Sequence, residues 1–346
     1  MGLFDGAADG LGSTADLAVL AGWPVVLVVD AKSQAQSVAA LVHGFASFRR
    51  DVTVSGVILN RVGSPRHEAL LRAALEPLGV PVLGALPRLE ALVLPDRHLG
   101  LVPAGEHAGL DAFLDRAADA VARHVDTAAL RRLARPAEFP AEAGGTMLPP
   151  PGQRIAVARD EAFVFAYPHL LASWSGQGAE LVPFSPLADE APDAGADAVF
   201  LPGGYPELHA GRLAGAARFL SGIRAAADRG AVVYGECGGY MVLGRVLEDG
   251  DGVRHAMAGL LPLETSFAKR RLHLGYREAV AVSATPFGPG STVLRGHEFH
   301  YASITAEVAD PPLFRVRDAH GADLGGMGAR RGTVMGSFLH VVDAGE

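Results

Sequence analysis

The chain has 346 residues, a net charge of −8, 49% hydrophobic and 20% charged residues, and one cysteine. That length suits two ordinary domains, and the acidic balance with no basic stripe excludes nucleic acid as the main partner. No apolar run approaches the ~20 residues of a membrane span, so no membrane partner is expected. One cysteine excludes an internal disulfide framework and, with no signal-peptide core at the N-terminus, fits a cytoplasmic protein.

Up to about residue 135 the strand and helix signals alternate. Pro24–Asp30 is a continuous apolar run closed by an acid, as buried parallel strands read, and Ser37–Phe48 carries apolar residues at helical spacing. Val54–Asn60 is a second strand. Ser64 and Pro65 form an N-cap and first helical position for a helix over His67–Leu78. Val80–Leu86 is a third strand and Leu110–Arg123 a further helix, so 1–135 is expected to build parallel βαβ units. The stretch 136–153 holds five prolines and three glycines and reads as a linker. A second domain, 154–346, opens with the strand at Arg154–Arg159. Strands at Ala179–Phe184 and Ala198–Leu201 follow, then a helix over Ala214–Arg229. After residue 240 the pattern turns β-rich, and Thr333–His340 is a late strand that delivers a histidine.

The chemistry concentrates at Ala231–Tyr240. An apolar strand stops at Gly235, the cysteine Cys237 follows, and Gly238-Gly239 opens a helix. Strand, sharp turn and helix make a nucleophile elbow, in which flanking glycines permit strain and close approach of a substrate. A thiol at a helix start is expected to be held as thiolate. Such a nucleophile needs a base and an oxyanion site. His340 is the candidate base. Gly203 and Gly204, in the turn after a strand, are candidate oxyanion donors.

Cysteine elbow, glycine turn and late histidine, in that order, resemble the class I glutamine amidotransferase domain, which cleaves the side-chain amide of glutamine through a thioester. Many members of that class orient the histidine with a glutamate two residues later, where this chain has Val342; either another group such as Asp343 or Glu298 orients it, or the pair acts as a Cys-His dyad. Longer strings narrow the family. Met1-Gly2-Leu3-Phe4-Asp5-Gly6, Gly12–Asp16, Leu94–Val102, Pro202–Glu207, Glu264–Phe267 and Gly296-His297-Glu298-Phe299-His300-Tyr301 together resemble the cobyrinic acid or hydrogenobyrinic acid a,c-diamide synthases, over essentially the whole chain.

The resemblance implies an α/β chain. It has an N-terminal P-loop-NTPase-like parallel sheet domain, incomplete here, and a C-terminal class I glutamine amidotransferase-like α/β domain. It implies a carbon–nitrogen ligase that amidates the a and c acetate carboxylates of a corrin in cobalamin biosynthesis with ATP, Mg2+ and glutamine. Cys237 and His340 would release ammonia, and an acyl phosphate would receive it. Asp5 matches an acid near the ATP phosphates and magnesium, or is a turn residue beside Gly6. Asn60 matches an adenine-recognition position, or is a strand-end turn. Arg270, Arg271 and Arg277, with Tyr205, Phe267 and Tyr276, would pair with and stack on a polycarboxylate macrocycle. Relatives continue upstream into a glycine-rich P-loop, which requires a lysine after the glycines. Neither of the two lysines, Lys32 and Lys269, sits in such a loop, so weak ATP use and an intact glutaminase are expected. Three matters stay open: the macrocycle, with nickel-sirohydrochlorin amidases carrying related motifs; a non-catalytic, tetrapyrrole- or partner-binding fragment; and homodimerisation.

Overall fold

The computed structural model describes residues 2–7, 10–94, 96–97, 100–102, 104–107, 109–139, 147–309 and 311–345. The chain divides into two compact units, Met1–Gly144 and Gly145–Glu346. Part of the 136–153 stretch, part of the Leu94–Val102 string and Met1 lie outside the described residues. Among the described residues no helix is long and apolar enough to cross a membrane.

The first unit is built on a parallel sheet of three strands in chain order, Val25–Asp30, Val54–Val62 and Val82–Pro87. These are the three apolar runs of the sequence, and their valines and leucines (Val29, Val57, Leu59) meet Val38 and Val42 of helix Ser37–Ser47 and Leu71 and Leu75 of helix Pro65–Leu75. The Ser64 hydroxyl accepts the His67 N–H at 3.1 Å, with Pro65 in the first turn, so this helix starts where its cap was read. It stops earlier than expected: Pro77 turns the last three residues, Glu76–Leu78, into a 3-10 turn. Asp30, at the carboxyl end of its strand, and Asn60, two residues before the end of its own, are register partners toward the edge where ligands of parallel α/β sheets bind.

The second unit layers two large sheets. One has six strands ordered Ala329–Arg331, Val334–Ser337, Val232–Glu236, Ala198–Leu201, Arg154–Ala158 and Glu180–Phe184, parallel except for the hairpin at its first edge. The other is antiparallel, ordered Asp323–Met327, Phe314–Asp318, His273–Ala281, Val293–His300 and His340–Ala344. Ile155, Phe200, Tyr234 and Met335 of the first meet Ala279, Leu294, Phe314 and Val341 of the second in one core. The opposite face of the parallel sheet is covered by Phe219, Leu220 and Ile223 of helix Ala217–Asp228. That helix is shorter than the expected Ala214–Arg229, because the backbone leaves helical geometry at Ala216 and a separate helix, Ala210–Gly215, precedes it.

The last crossing of the chain matters most. Strand Val334–Ser337 runs in the parallel sheet beside the elbow strand, Ser337 opposite Glu236. Three residues later the chain has entered the antiparallel sheet, with His340 opposite His297. The candidate base therefore stands where the backbone passes from one sheet to the other, close to the end of the elbow strand.

Candidate active site

Cys237 ends strand Val232–Glu236 and caps helix Gly238–Leu243 with φ 47° and ψ −102°. A non-glycine residue in that region is strained, and the surroundings hold it there. Its N–H donates to Ser337 O at 2.8 Å, and its carbonyl accepts the Met241 N–H at 3.0 Å. The glycines are required by contact. A Cβ on Gly239 would lie 2.0 Å from Leu201 O, and one on Gly238 would lie 2.9 Å from Gly204 N. The helix start is thus pressed against strand Ala198–Leu201 and the turn after it.

That turn is fixed on both flanks. Gly203 O accepts the Phe165 N–H at 2.9 Å, and the Tyr205 N–H donates to Ala162 O at 3.1 Å. A Cβ on Gly203 would fall 2.3 Å from His340 Cε1. Gly203 therefore touches the imidazole while Gly204 N lies against the elbow, and four residues singled out from the sequence (Cys237, His340, Gly203 and Gly204) converge on one spot. Cys237 and His340 are buried, at 3% and 2% exposure.

The expected thiolate is not what the site favours. Burial pushes the Cys237 thiol well up, the Glu207 carboxylate adds to this, and the Gly238 N–H opposes it only in part. Burial likewise pulls His340 down to about 3, with His297 and His300 contributing. Burial therefore favours a neutral thiol and a neutral imidazole in the resting pair.

His340 lies nearly parallel to His297, ring centroids 4.8 Å apart, and His297 Nε2 is hydrogen-bonded to the Tyr167 hydroxyl. Sequence reasoning missed both neighbours: cross-strand register brings His297 beside His340, and Tyr167 reaches His297 from the start of helix Pro168–Gly176. The alternative orienters are engaged elsewhere. Glu298 bonds Arg277 Nε at 2.6 Å and His300 Nε2 at 3.3 Å. Burial alone would raise Glu298, but these two partners hold it below the ordinary carboxylate range. Asp343 accepts the N–H of Ala344. Glu236 was also missed. It is buried, and its Oε1 accepts the Val341 N–H at 3.2 Å.

His273, Glu298 and His300 have donor atoms within 4.8 Å of one another, a set that suits a transition metal. Arg277 already neutralises Glu298, and the two imidazoles lie almost parallel, 5° apart with centroids separated by 4.6 Å, so a shared ion would leave at least one ring plane.

The residues expected to hold a macrocycle divide. Arg270, Arg271 and Tyr276 are exposed. Arg277 is largely buried in its pair with Glu298. Tyr205 and Phe267 are buried at 1% and 3%, which corrects their reading as stacking platforms: neither presents a ring face to solvent.

In the first unit Asn60 Oδ1 accepts the Arg61 N–H at 2.9 Å, where Arg61 turns through φ 58° at a break in register near the end of strand Val54–Val62; the strand continues to Val62, so the strand-end-turn reading of Asn60 becomes an in-strand irregularity. The Arg61 guanidinium pairs with Asp30 at the neighbouring strand end. Asp5 is exposed, accepts the Gly2 N–H, and borders a cavity of about 390 Å³ lined by Phe4, Leu41, Phe45 and Phe48.

Comparison with known proteins agrees with both units. Residues 154–345 match the CobB/CobQ-like glutamine amidotransferase domain and residues 3–102 the CobQ/CobB/MinD/ParA nucleotide binding domain. The hydrogenobyrinate a,c-diamide synthase of Brucella abortus biovar 1 (strain 9-941) is 63% identical over 344 residues, covering 99% of this chain and 78% of that protein. The proteins of the same name from Rhizobium meliloti (strain 1021) and Rhodobacter capsulatus are 58% and 56% identical over 347 residues. They cover 100% and 99% of this chain and 80% and 79% of their own lengths. With identity this high along nearly its whole length, and with both domain families matched, this chain belongs to the hydrogenobyrinate a,c-diamide synthases.

Proposed function

We propose that the chain is a glutamine-dependent ligase that amidates the a and c acetate carboxylates of hydrogenobyrinate, in the cytoplasm, with Cys237 and His340 as its glutaminase. The observation that carries this is the strained, buried Cys237 elbow and the His340 ring on one Gly203–Gly204 turn. Residues 154–346 would release ammonia and residues 1–135 would use it, joined by 136–153.

In the first half, the Cys237 sulfur attacks the glutamine side-chain carbonyl while His340 takes the thiol proton. The carbonyl oxygen develops negative charge toward the Gly203 and Gly204 N–H groups. His340 then returns the proton to the departing nitrogen, and ammonia leaves a thioester on Cys237. Water, deprotonated by His340, hydrolyses that thioester to glutamate and restores the thiol. Because thiol and imidazole both start neutral, proton transfer and carbon–sulfur bond formation proceed together.

In the second half, the substrate carboxylate attacks the terminal phosphorus of the co-substrate ATP and ADP leaves. Ammonia displaces phosphate from the resulting acyl phosphate, giving the amide. Asn60, Arg61 and Asp30 line the carboxyl edge of the parallel sheet where a nucleotide would lie. Asp5, an exposed carboxylate, fits magnesium, which uses one or two protein carboxylates with phosphate oxygens and water. Magnesium would neutralise phosphate charge there. Exposed Arg270, Arg271 and Tyr276 would meet the carboxylate-rich macrocycle.

The test is glutamate release from glutamine by the purified chain and by Cys237→Ala. Hydrolysis that disappears in the variant supports the assignment; equal activity in both proteins, or none in either, overturns it. ATP-dependent amidation of hydrogenobyrinate, followed by mass, reads the synthetase half separately.

A further inference from the structure

We propose that Glu236 is the positioning residue for His340, taking over through the backbone the task that a carboxylate two residues after the histidine performs by touching the ring. Val342 cannot perform that task, and Glu298 and Asp343 are bonded elsewhere.

The case rests on connectivity. Glu236 directly precedes Cys237, and its Oε1 accepts the N–H of Val341, the residue directly after His340, at 3.2 Å in a buried setting. One side chain thus ties the residue before the nucleophile to the residue after the base, across the point where the chain leaves one sheet for the other. The main chain adds a second tie between the same segments, from the Cys237 N–H to Ser337 O at 2.8 Å. His169 supplies a third, its Nε2 lying 2.9 Å from Val342 O. The ring itself is packed between Gly203 on one side and the parallel His297 ring, which Tyr167 holds by a hydrogen bond. Fixing the backbone at 341 and 342 and walling the ring on two sides leaves His340 little freedom. Of the ties to the backbone just after His340, at Val341 and Val342, the Glu236 carboxyl is the one that comes from the elbow, so it sets that side of the base relative to the sulfur.

The proton state of Glu236 fits this task. Burial raises it to about 8, against the opposing Val341 N–H, so at neutral pH it is an uncharged acceptor. In that form it puts less negative charge than an ordinary carboxylate beside a thiol that must give up a proton. Glutamine at this position would keep the acceptor oxygen and nearly the same shape; alanine would remove both.

This inference rests on the glutaminase reading, and its test uses the full chain. Glu236→Ala is expected to lower kcat for glutamine hydrolysis about 100-fold, the cost of moving a catalytic group by about 1 Å, with KM within about threefold of the parent. Glu236→Gln is expected to stay within about threefold of the parent in both constants. Replacing the Val341 amide by an ester deletes the N–H while keeping every side chain, and is expected to match the alanine variant. Parent-like kcat in Glu236→Ala or in the ester protein overturns the proposal. So does a Glu236→Gln variant as impaired as the alanine one, which would point to the proton rather than the hydrogen bond. If Glu236→Ala does not fold, the ester protein and Glu236→Gln decide by the same criteria. Crystals of the ester protein answer without turnover: a displaced His340 ring supports the proposal and an unmoved one refutes it. A failed glutaminase reading would show in Cys237→Ala, whereas failure of this inference alone leaves the Cys237→Ala loss intact.

Discussion

Adding one methyl group at Gly203 should disable the glutaminase while leaving the fold in place. The new Cβ of Gly203→Ala would sit 2.3 Å from His340 Cε1, 3.2 Å from Nδ1 and 3.3 Å from Nε2. Carbon atoms in contact settle at about 3.5–4.0 Å, so the ring must retreat by about 1.2 Å or more. The glycine side has little room to give, because Gly203 O is held by the Phe165 N–H and the turn continues strand Ala198–Leu201. The imidazole is the softer partner, and it moves away from the turn that faces the sulfur. A misplacement of this size in a reacting group costs about 100-fold in kcat, while overpacking a buried site costs about 1–3 kcal/mol of stability. Glutamate release measured against glutamine concentration, beside a thermal melt, separates the two effects. Gly215→Ala is the control, since nothing lies within 4 Å of its new methyl group. A Gly203→Ala enzyme with kcat within about threefold of the parent would refute the contact's place at the reacting centre.

Two further outcomes follow from the charges around the site. Arg277→Met removes the guanidinium from the buried Glu298 carboxylate and leaves it with the His300 hydrogen bond, and breaking a buried pair of this kind costs about 3–5 kcal/mol. Chemical denaturation measures this, and a loss under about 1 kcal/mol, as for a surface pair, would contradict the burial argument. The second outcome concerns pH. His340 binds a proton near pH 6.5 when unfolded but only near 3 when folded, so the unfolded state takes up the proton first and stability falls as pH drops through that window. Glu236 works oppositely, its stability contribution being lost as pH rises from 4.5 toward 8, so the parent's total slope conceals both. The parent-minus-His340→Asn difference isolates the histidine. It should fall as pH drops from 6.5 to 4.5, the slope steepening to about 1.4 kcal/mol per pH unit, and a flat difference would show that His340 is not buried neutral.

The parts of this site that could be read from the sequence are those determined by local chain chemistry. A cysteine between glycines after an apolar run has one good explanation, a forced turn, and Cys237 does take positive φ there. Ser64-Pro65 announced a helix start by the same kind of local logic. What could not be read depends on register. Nothing in the sequence aligns His297 with His340, or Glu236 with Ser337, until strands of two different sheets are placed side by side. Glu236 stood beside Cys237 in the elbow string, yet its role appears only when the chain returns about a hundred residues later. Exposure is equally non-local, which is why Tyr205 and Phe267 were read as ligand platforms although both are packed in the interior. The thiolate expectation failed for the same reason, since a helix start is visible in sequence and desolvation is not.

The neutral resting state also explains how a buried base can function without a carboxylate on its ring. A carboxylate partner stabilises an imidazolium, and an imidazolium that persists is useful when thiolate and imidazolium form an ion pair before substrate arrives. Here burial raises the thiol and lowers His340, so that ion pair is disfavoured from both ends. Glu207, Glu236 and Glu298 all stand near enough to raise the thiol further. Protonation of Glu236 and pairing of Glu298 with Arg277 soften that effect without reversing it. Charge separation therefore becomes favourable only when a carbonyl accepts the sulfur's electrons and its oxygen reaches the Gly203–Gly204 turn. What the histidine needs in such a site is placement more than electrostatic support, and backbone ties at Val341 and Val342 supply placement without adding charge.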